Sequence, residues 1–409
     1  TSLAKDIPEK HLVWRIVQDH VNKDLLFIGT EFGIFFTVDG GEKWLELNGG
    51  MPTISTRDVK IQRRENDLVA GTFGRGIYIL DDYAPLRQLS KKAMEEDALL
   101  FAPSRPVKWF TLDSNHTVSD GDDRFVAKNP AHGATLTYYL KDSLLTAKEK
   151  RQKAEKKMVK DKQYPKYPTW ESIEKENQEA KPAVYLDIKD ASGNFVNRVA
   201  GKAKKGLHRV TWDMSYGKTS AVVDGKLAGS SLVAPPGSYN ATLYKRVGSS
   251  VTQMAASVDF ELQAIYQSAI KTNSSNEVLN FGREVVDAQK RSSAARTVIE
   301  SIEKTMTALR VAIDGTPNNI TALEKQFADI QTEVNGINFE ISGLKSRDRK
   351  GEKPANISSR LEYAVSAGWS NYGPTKQHKE QLGYALEGLN AVTKRIKALE
   401  EGSIPALQQ

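Results

Sequence analysis

The sequence predicts a multidomain chain of mixed β and α structure, and three observations predict it. Short apolar runs recur between residues 12 and 82 at a spacing of about 42 to 43 residues. Residues 101–262 carry alternating, strand-like patterns broken once by a lysine-rich stretch. Residues 275–401 place apolar residues at alternating steps of three and four, the spacing of a helical seam. A length of 409 residues suits two to four domains. A mean hydropathy of −0.49 and the lack of any apolar run near ~18 residues argue against a membrane span. With no cysteine there is neither a disulfide nor a thiolate metal site.

The repeat is clearest as strands. Val13–Asp19, Leu25–Thr30, Gly33–Val38 and Trp44–Leu47 form one unit; Arg57–Gln62, Leu68–Thr72 and Gly76–Leu80 repeat its first three members. Leu26-Phe27-Ile28-Gly29-Thr30 aligns with Leu68-Val69-Ala70-Gly71-Thr72. Four strands per repeat of this length is the pattern of propeller blades, so residues 1–85 are expected to be a partial β-propeller of two closing blades. The second unit runs into the turn Asp81-Asp82-Tyr83-Ala84-Pro85 without a fourth strand. A three-stranded last blade closes its ring by borrowing a strand. The remaining blades are therefore expected as partners, on a separate or upstream polypeptide.

Between the third and fourth strands lies Thr37-Val38-Asp39-Gly40-Gly41-Glu42-Lys43-Trp44, of the form Ser/Thr-x-Asp-Gly-Gly-x-x-Trp. It resembles the Asp-box, or BNR repeat. Asp39 can accept hydrogen bonds from the backbone of its own turn, Gly40 and Gly41 allow positive φ, and Trp44 begins the return strand and covers the hairpin. Thr37, Asp39, Gly40, Gly41 and Trp44 are read as a folding device, because none is placed as a nucleophile or general base.

With Gly71-Thr72-Phe73-Gly74-Arg75-Gly76-Ile77-Tyr78-Ile79-Leu80-Asp81-Asp82, the chain resembles the C-terminal part of large bacterial secreted proteins labelled sortilin-type or "glycosyl hydrolase, BNR repeat". The resemblance continues in Asn129-Pro130-Ala131-His132-Gly133-Ala134, Gly206-Leu207-His208-Arg209-Val210-Thr211-Trp212-Asp213 and Pro235-Pro236-Gly237-Ser238-Tyr239, similar to the family's downstream β-domain. It implies a secreted or cell-surface bacterial protein. Phe73 stands where the family pattern Gly-Thr-His-Gly-Arg-Gly has His, so any role of that His is absent. The glycosidase label is an analogy of fold.

Residues 86–100 are expected as a linker with a short helix. Residues 101–262 are expected as an immunoglobulin- or fibronectin-like β-sandwich, with strands Val107–Leu112, Ala134–Leu140, Val184–Lys189, Gly206–Trp212, Gly237–Lys245 and Val251–Leu262. Asp190-Ala191-Ser192-Gly193-Asn194 is a hairpin turn, and Trp212 is read as a core residue. The loop bearing Asp113, Asp120, Asp122 and Asp123 lacks the ligand spacing of a Ca²⁺ loop; it is expected to be solvated, with Ca²⁺ the sole cofactor to consider. A basic helical insertion occupies 141–182. From Lys148 to Lys166 nine Lys/Arg face three Asp/Glu, so this segment carries +6 of the chain's +7. Ala147–Lys162 reads as a weakly packed helix, and Glu171–Glu179 as a second one capped by Thr169. No reader motif accompanies the charge, so no nucleic-acid partner is expected. The segment is expected to be a solvated helical excursion, with contact to anionic surface polysaccharide or lipopolysaccharide as the alternative.

Residues 263–409 are expected as an antiparallel helical bundle. The seams are Val278, Phe281, Val285, Ala288, Ala295, Ile299, Ile302, Met306, Leu309, Ile313; then Ile320 through Leu344; then Leu382, Leu386, Leu389, Ile396, Leu399. The first helix should be about 60 Å long at 1.5 Å per residue. Trp369 and Tyr372 are the aromatic pair that could stack on a glycan, although an aromatic cap on the bundle suits them as well.

A propeller glycosidase needs two opposed carboxylates. Asp58, on a channel-lining strand, is the single candidate, and no partner acid is visible. The six histidines show no metal-ligand spacing. Two functions follow as expectations. One is a non-catalytic C-terminal portion of an extracellular propeller protein, serving ring closure, spacing and docking to a protein or surface glycan. The other is part of a glycoside hydrolase whose acids lie mainly in upstream blades.

Overall fold

The repeat of residues 12–82 folds as two antiparallel sheets of like topology. In this computed structural model every residue is described except 1, 2, 4, 5, 111–128, 219–221, 224, 225, 228–230, 266–272, 318, 319, 344–353, 370, 371 and 409. The first sheet has the order β1 (Val13–Gln18), β2 (Leu26–Thr30), β3 (Gly33–Thr37), β4 (Leu45–Glu46). The second has β5 (Thr56–Gln62), β6 (Asp67–Thr72), β7 (Ile77–Leu80). Side chains alternate across a strand. Phe27, Ile34 and Phe36 of the first sheet therefore share one core with Val59, Leu68 and Ala70 of the second. The opposite face of the first sheet buries Leu26, Ile28, Phe35 and Trp44, with Ile7 against them.

The two sheets meet closely at one point. A Cβ on Gly29 would lie 2.6 Å from the Thr56 carbonyl oxygen, so only glycine fits there. A polar network ties the same sheets together. The fully buried Asp19 carboxylate accepts from Arg87 Nε and Nη2 at 2.9 Å, and Arg87 Nη2 also donates to Asn66 at 2.8 Å. Tyr83 donates its hydroxyl to Asp19, and the backbone N–H of Asn22 does so at 2.7 Å. Burial alone would raise the Asp19 pKa. The hydrogen bonds from Arg87, Tyr83 and the backbone outweigh it and hold the carboxyl well below its usual range.

The stretch 86–100 holds more than a linker. Short 3₁₀ turns at Ala84–Gln88 and Ala93–Glu95 are followed by strand β8 (Ala98–Phe101), because Leu86, Leu89, Leu100 and Phe101 are all buried. The remaining strands are β9 (Val107–Trp109), β10 (Ala134–Leu140), β11 (Ala183–Asp190), β12 (Phe195–Gly201), β13 (Gly206–Trp212), β14 (Val222–Val223), β15 (Lys226–Leu227), β16 (Gly237–Val247), β17 (Ser250–Gln253) and β18 (Val258–Ala264). One sheet has the order β13-β10-β8, another β12-β11-β16-β18-β9 with β17 beside β16. Trp212 joins them, its ring 5.2 Å from Tyr239 and 6.1 Å from Phe260. Two expectations need correction. The strand expected over 251–262 is two strands, because β17 folds back on β16 through a turn at Gly248 with φ +60°. Strand β12, which follows the Asp190–Asn194 turn, was not foreseen.

The basic insertion is an antiparallel pair, α1 (Ala147–Lys160) and α2 (Trp170–Gln178). Thr146 and Glu149 form a capping box on α1, and Thr169 caps α2. Arg151 Nε meets Glu176 at 2.7 Å and Ala147 N donates to Glu179 at 2.6 Å, which pins the base of the arm. Neither helix buries a residue. Tyr164, Tyr167 and Trp170 at the far turn stand 80% or more exposed.

The chain divides into two units, Thr1–Met214 with Pro236–Ile265, and Ser215–Pro235 with Tyr266–Gln409. The second unit holds the β14–β15 hairpin and the helices α3 (Ser275–Asp314), α4 (Thr321–Ser342), α5 (Ile357–Val365), α6 (Lys376–Ala398) and α7 (Ile404–Gln408). Helix α3 spans 40 residues and begins with a Ser274–Glu277 capping box. Arg310 Nη2 pairs with Glu324 at 2.6 Å and Asn338 donates to Glu303 at 2.6 Å, so α3 and α4 run antiparallel. The apolar seams meet in one core that includes Phe281, Ile302, Ile330, Ile337, Leu382 and Leu389.

Candidate functional site

The open ends of the two repeat sheets carry a cluster of aromatic and charged side chains. Its frame is set by backbone bonds. Glu31 N donates to the Leu12 carbonyl at 2.9 Å, fixing the β2–β3 hairpin to the entry of β1. Phe73 N donates to the Ser55 carbonyl at 2.9 Å, fixing the β6–β7 hairpin to the entry of β5. Each hairpin is closed by a threonine: Thr30 Oγ1 donates to Gly33 O at 3.0 Å, and Thr72 Oγ1 to Gly76 O at 2.6 Å. Gly74 and Gly76 sit at φ +79° and +77°, which side chains rarely adopt.

Five side chains converge on that frame. Trp14 donates its indole N–H to Glu31 Oε2 at 2.8 Å, and Ser55 donates to the same oxygen at 3.3 Å. The Arg57 guanidinium lies 3.7 Å from the Trp14 ring centre and 5.3 Å from that of Phe73. Phe73 is 69% exposed. Arg57 is exposed and has no carboxylate partner among the described residues. None of Trp14, Glu31 or Arg57 is foreseen from the sequence. The usable signal was the repeat itself, since Glu31 and Phe73 occupy equivalent places after Thr30 and Thr72.

Asp58 lies on β5, one residue from Arg57, with its side chain half exposed. Arg15 Nε on β1 lies 3.4 Å from its Oδ1, and that oxygen also accepts from the Val59 N–H at 3.0 Å.

The Asp-box residues come together at the opposite end of the first sheet. Thr37 Oγ1 donates to Asp39 Oδ1 at 2.6 Å and accepts from Gly41 N at 3.0 Å, while Lys43 N donates to Asp39 at 2.9 Å. Gly40 and Gly41 have φ +71° and +98°. Burial would raise the Asp39 pKa, but the bonds from Thr37 and the turn amides outweigh it and lower it. Trp44 is buried and donates to the Leu3 carbonyl at 2.7 Å. Its ring covers the sheet face at Leu26, Ile28 and Phe35. Thr37, Asp39 and Trp44 thus act through their side chains, and Gly40 and Gly41 through their backbone conformation.

A cavity of about 740 Å³ runs beside β7, lined by Leu45, Met51, Tyr78, Leu80, Leu207 and Arg209 among others. Arg209 Nη2 donates to the Asp82 carbonyl at 2.6 Å, which anchors the exit from β7. Of the glycan pair, Tyr372 is half exposed and its carbonyl accepts from Asn273 N at 3.3 Å; the Trp369 side chain lies outside the described residues. Asp113, Asp120, Asp122 and Asp123 lie outside them too. Among the described residues no group of three or more His, Asp or Glu could hold a metal ion, and no helix is long and apolar enough to cross a membrane.

No family model and no curated protein matches this chain. Two solved structures are similar to it in part, both of an extracellular domain from B. thetaiotaomicron. One, of a one component system, is 11% identical over 63% of this chain, with a TM-score of 0.15. The other, of a hybrid two component system, is 12% identical over 62% of this chain, also with a TM-score of 0.15. The chain spans about a quarter of the length of each.

Proposed function

We propose that this chain is the non-catalytic C-terminal portion of an extracellular or cell-surface bacterial propeller protein of the Asp-box type. The two repeat sheets are its closing blades, the β-region after them an immunoglobulin-like spacer, and the helices a docking bundle. One observation carries the reading. Ile34 and Phe36 are 4% and 6% exposed against the second sheet, whereas their repeat equivalents, Ile77 and Ile79, are 71% and 59% exposed. Equivalent residues in a repeat do equivalent work, and a repeat unit cannot bury its own apolar face alone. The glycines agree with this. A Cβ on Gly29 meets the next sheet at 2.6 Å, while on Gly71 it would meet only Asp58 of its own sheet at 3.8 Å. The partner is therefore further β-sheet polypeptide laid on Val69, Ile77 and Ile79 and extending along the edge of β7. A non-catalytic role fits Asp58, which is paired with Arg15 rather than poised opposite a second acid.

The absence of cysteine makes a clean test. Ile79→Cys should react quickly with a maleimide in the isolated 409-residue chain. The same variant, purified as the protein its source bacterium makes, should be protected. Equal, rapid labelling of both would remove the added-sheet reading.

A further inference from the structure

We propose that Arg57, Trp14 and Phe73 form a binding subsite for the carboxylate of an acidic sugar, a uronate ring in a surface polysaccharide. This deepens the glycan-docking part of the reading above, and every residue it uses belongs to this chain.

The chemistry follows from how the guanidinium is held. The Arg57 guanidinium carbon lies over the Trp14 ring, 3.7 Å from its centre, a distance at which the two planes can stack. Stacking occupies the π face of a guanidinium and leaves its N–H edges free, and that fork matches a carboxylate in bidentate fashion. No described carboxylate fills it. The nearest acid of the cluster, Glu31, is already engaged by Trp14 Nε1 at 2.8 Å and Ser55 Oγ at 3.3 Å. Glu31 is thus a positioning residue: it fixes the plane of the indole against which Arg57 lies. Phe73 adds an aromatic face at 5.3 Å from the same cation, and its 69% exposure leaves that ring open to a ligand. A charged fork beside exposed aromatic rings suits a pyranose chair with an apolar C–H face and one anionic substituent. Binding sites of this composition, aromatic walls with a few placed polar groups, are the usual kind for small ligands. The cluster is also pre-organised, since backbone bonds from Glu31 to Leu12 and from Phe73 to Ser55 hold both hairpins at 2.9 Å.

The test is titration calorimetry of the whole chain with trigalacturonate and, separately, with neutral galactotriose. The acidic trimer should bind and the neutral one should not. Arg57→Met keeps a stacked, unbranched side chain but removes the fork, and should weaken trigalacturonate about 10-fold to 100-fold, as expected for hydrogen bonds to a charged group. Arg57→Lys keeps the charge as a point and should not restore binding. Phe73→Ala should weaken it several-fold, and circular dichroism of each variant checks that it is folded. The proposal fails if neither trimer binds, if both bind alike, or if Arg57→Met binds as the parent does. It fails equally if binding persists in Arg57→Met and disappears when Lys156, Lys157 and Lys160 on α1 are changed to Gln, because that places the anion on the arm. Loss of binding here leaves the Ile79→Cys result untouched, so the two readings can fail separately.

Discussion

Two glycines at equivalent places in the repeat should respond oppositely to the same substitution. In Gly29→Ala the new methyl would lie 2.6 Å from the Thr56 carbonyl oxygen and 3.0 Å from Val59 Cγ2. Ordinary contact begins at 3.4 Å, so the backbone of β5 would have to retreat by about 0.8 Å. It is not free to do so, because the Asp19–Arg87–Asn66 network holds the second sheet against the first and the Phe73–Ser55 backbone bond holds the entry of β5 to its own sheet. Overpacking of this kind costs about 1–3 kcal/mol, against a gain of about 0.5–1 kcal/mol for replacing glycine inside a strand. A net loss of about 1–2 kcal/mol is expected. In Gly71→Ala the methyl meets nothing closer than 3.8 Å, so only the gain remains. Urea unfolding of the isolated chain, followed by tryptophan fluorescence, should therefore show the midpoint falling for Gly29→Ala and holding or rising for Gly71→Ala. At slopes of about 1–3 kcal/mol per molar urea, the two midpoints should separate by roughly 1 M. Midpoints that move together in one direction would refute the claim that Gly29 alone is pressed by a neighbouring sheet.

Asp19→Asn should cost about 1.5–3 kcal/mol, the usual worth of hydrogen bonds to a charged group, because it removes the carboxylate that the partly buried Arg87 meets; urea unfolding at neutral pH measures it. The pH dependence has a definite sign. The folded pKa of Asp19 lies below its ordinary 3.8, so its contribution is complete above that value and is lost as pH falls through the folded pKa. The parent should lose stability below about pH 4 more steeply than Asp19→Asn, and equal acid limbs would remove Asp19 as the cause. In the second unit, Ile330→Asp places an unpaired carboxylate in the core between helices and should cost several kcal/mol, read as a lower melting temperature by circular dichroism.

The parts legible in the sequence are those where local chemistry and burial agree. The Asp-box could be read because Thr37, Asp39, Gly40 and Gly41 satisfy one another within a single turn. Helix α3 could be read because its seam residues, such as Val285, Ile299 and Met306, are buried at regular spacing and Ser274 and Glu277 mark its start. The arm was legible from Thr169 and from the charge of α1. What escaped depends on distant pairing. Strand β12 alternates weakly and owes its place to β11. Strand β8 is ordered by pairing with β10, some 40 residues further on. The Trp14–Glu31–Arg57–Phe73 cluster draws on four segments, and no window of sequence contains them together.

The repeat also decides which exposed apolar residues carry meaning. A single exposed isoleucine is ordinary on a protein surface. Ile77 and Ile79 differ because Ile34 and Phe36 occupy the same places one repeat earlier and are buried there. Leaving each of the two isoleucines in water forfeits roughly 1.5–3 kcal/mol, while the sheet that bears them remains tied by Arg87, Asn66 and Tyr83 to its neighbour. An edge strand with an apolar face is a site where another strand adds. The exposed aromatics at the open ends of the hairpins need a different account. Trp14 and Phe73 are held in place by a carboxylate and a backbone bond, and Arg57 lies between them with no carboxylate partner among the described residues. A face awaiting a sheet needs shape and apolar area. A cation held between rings is matched by an anion, so the two proposals made for this one pair of sheets name two different ligands.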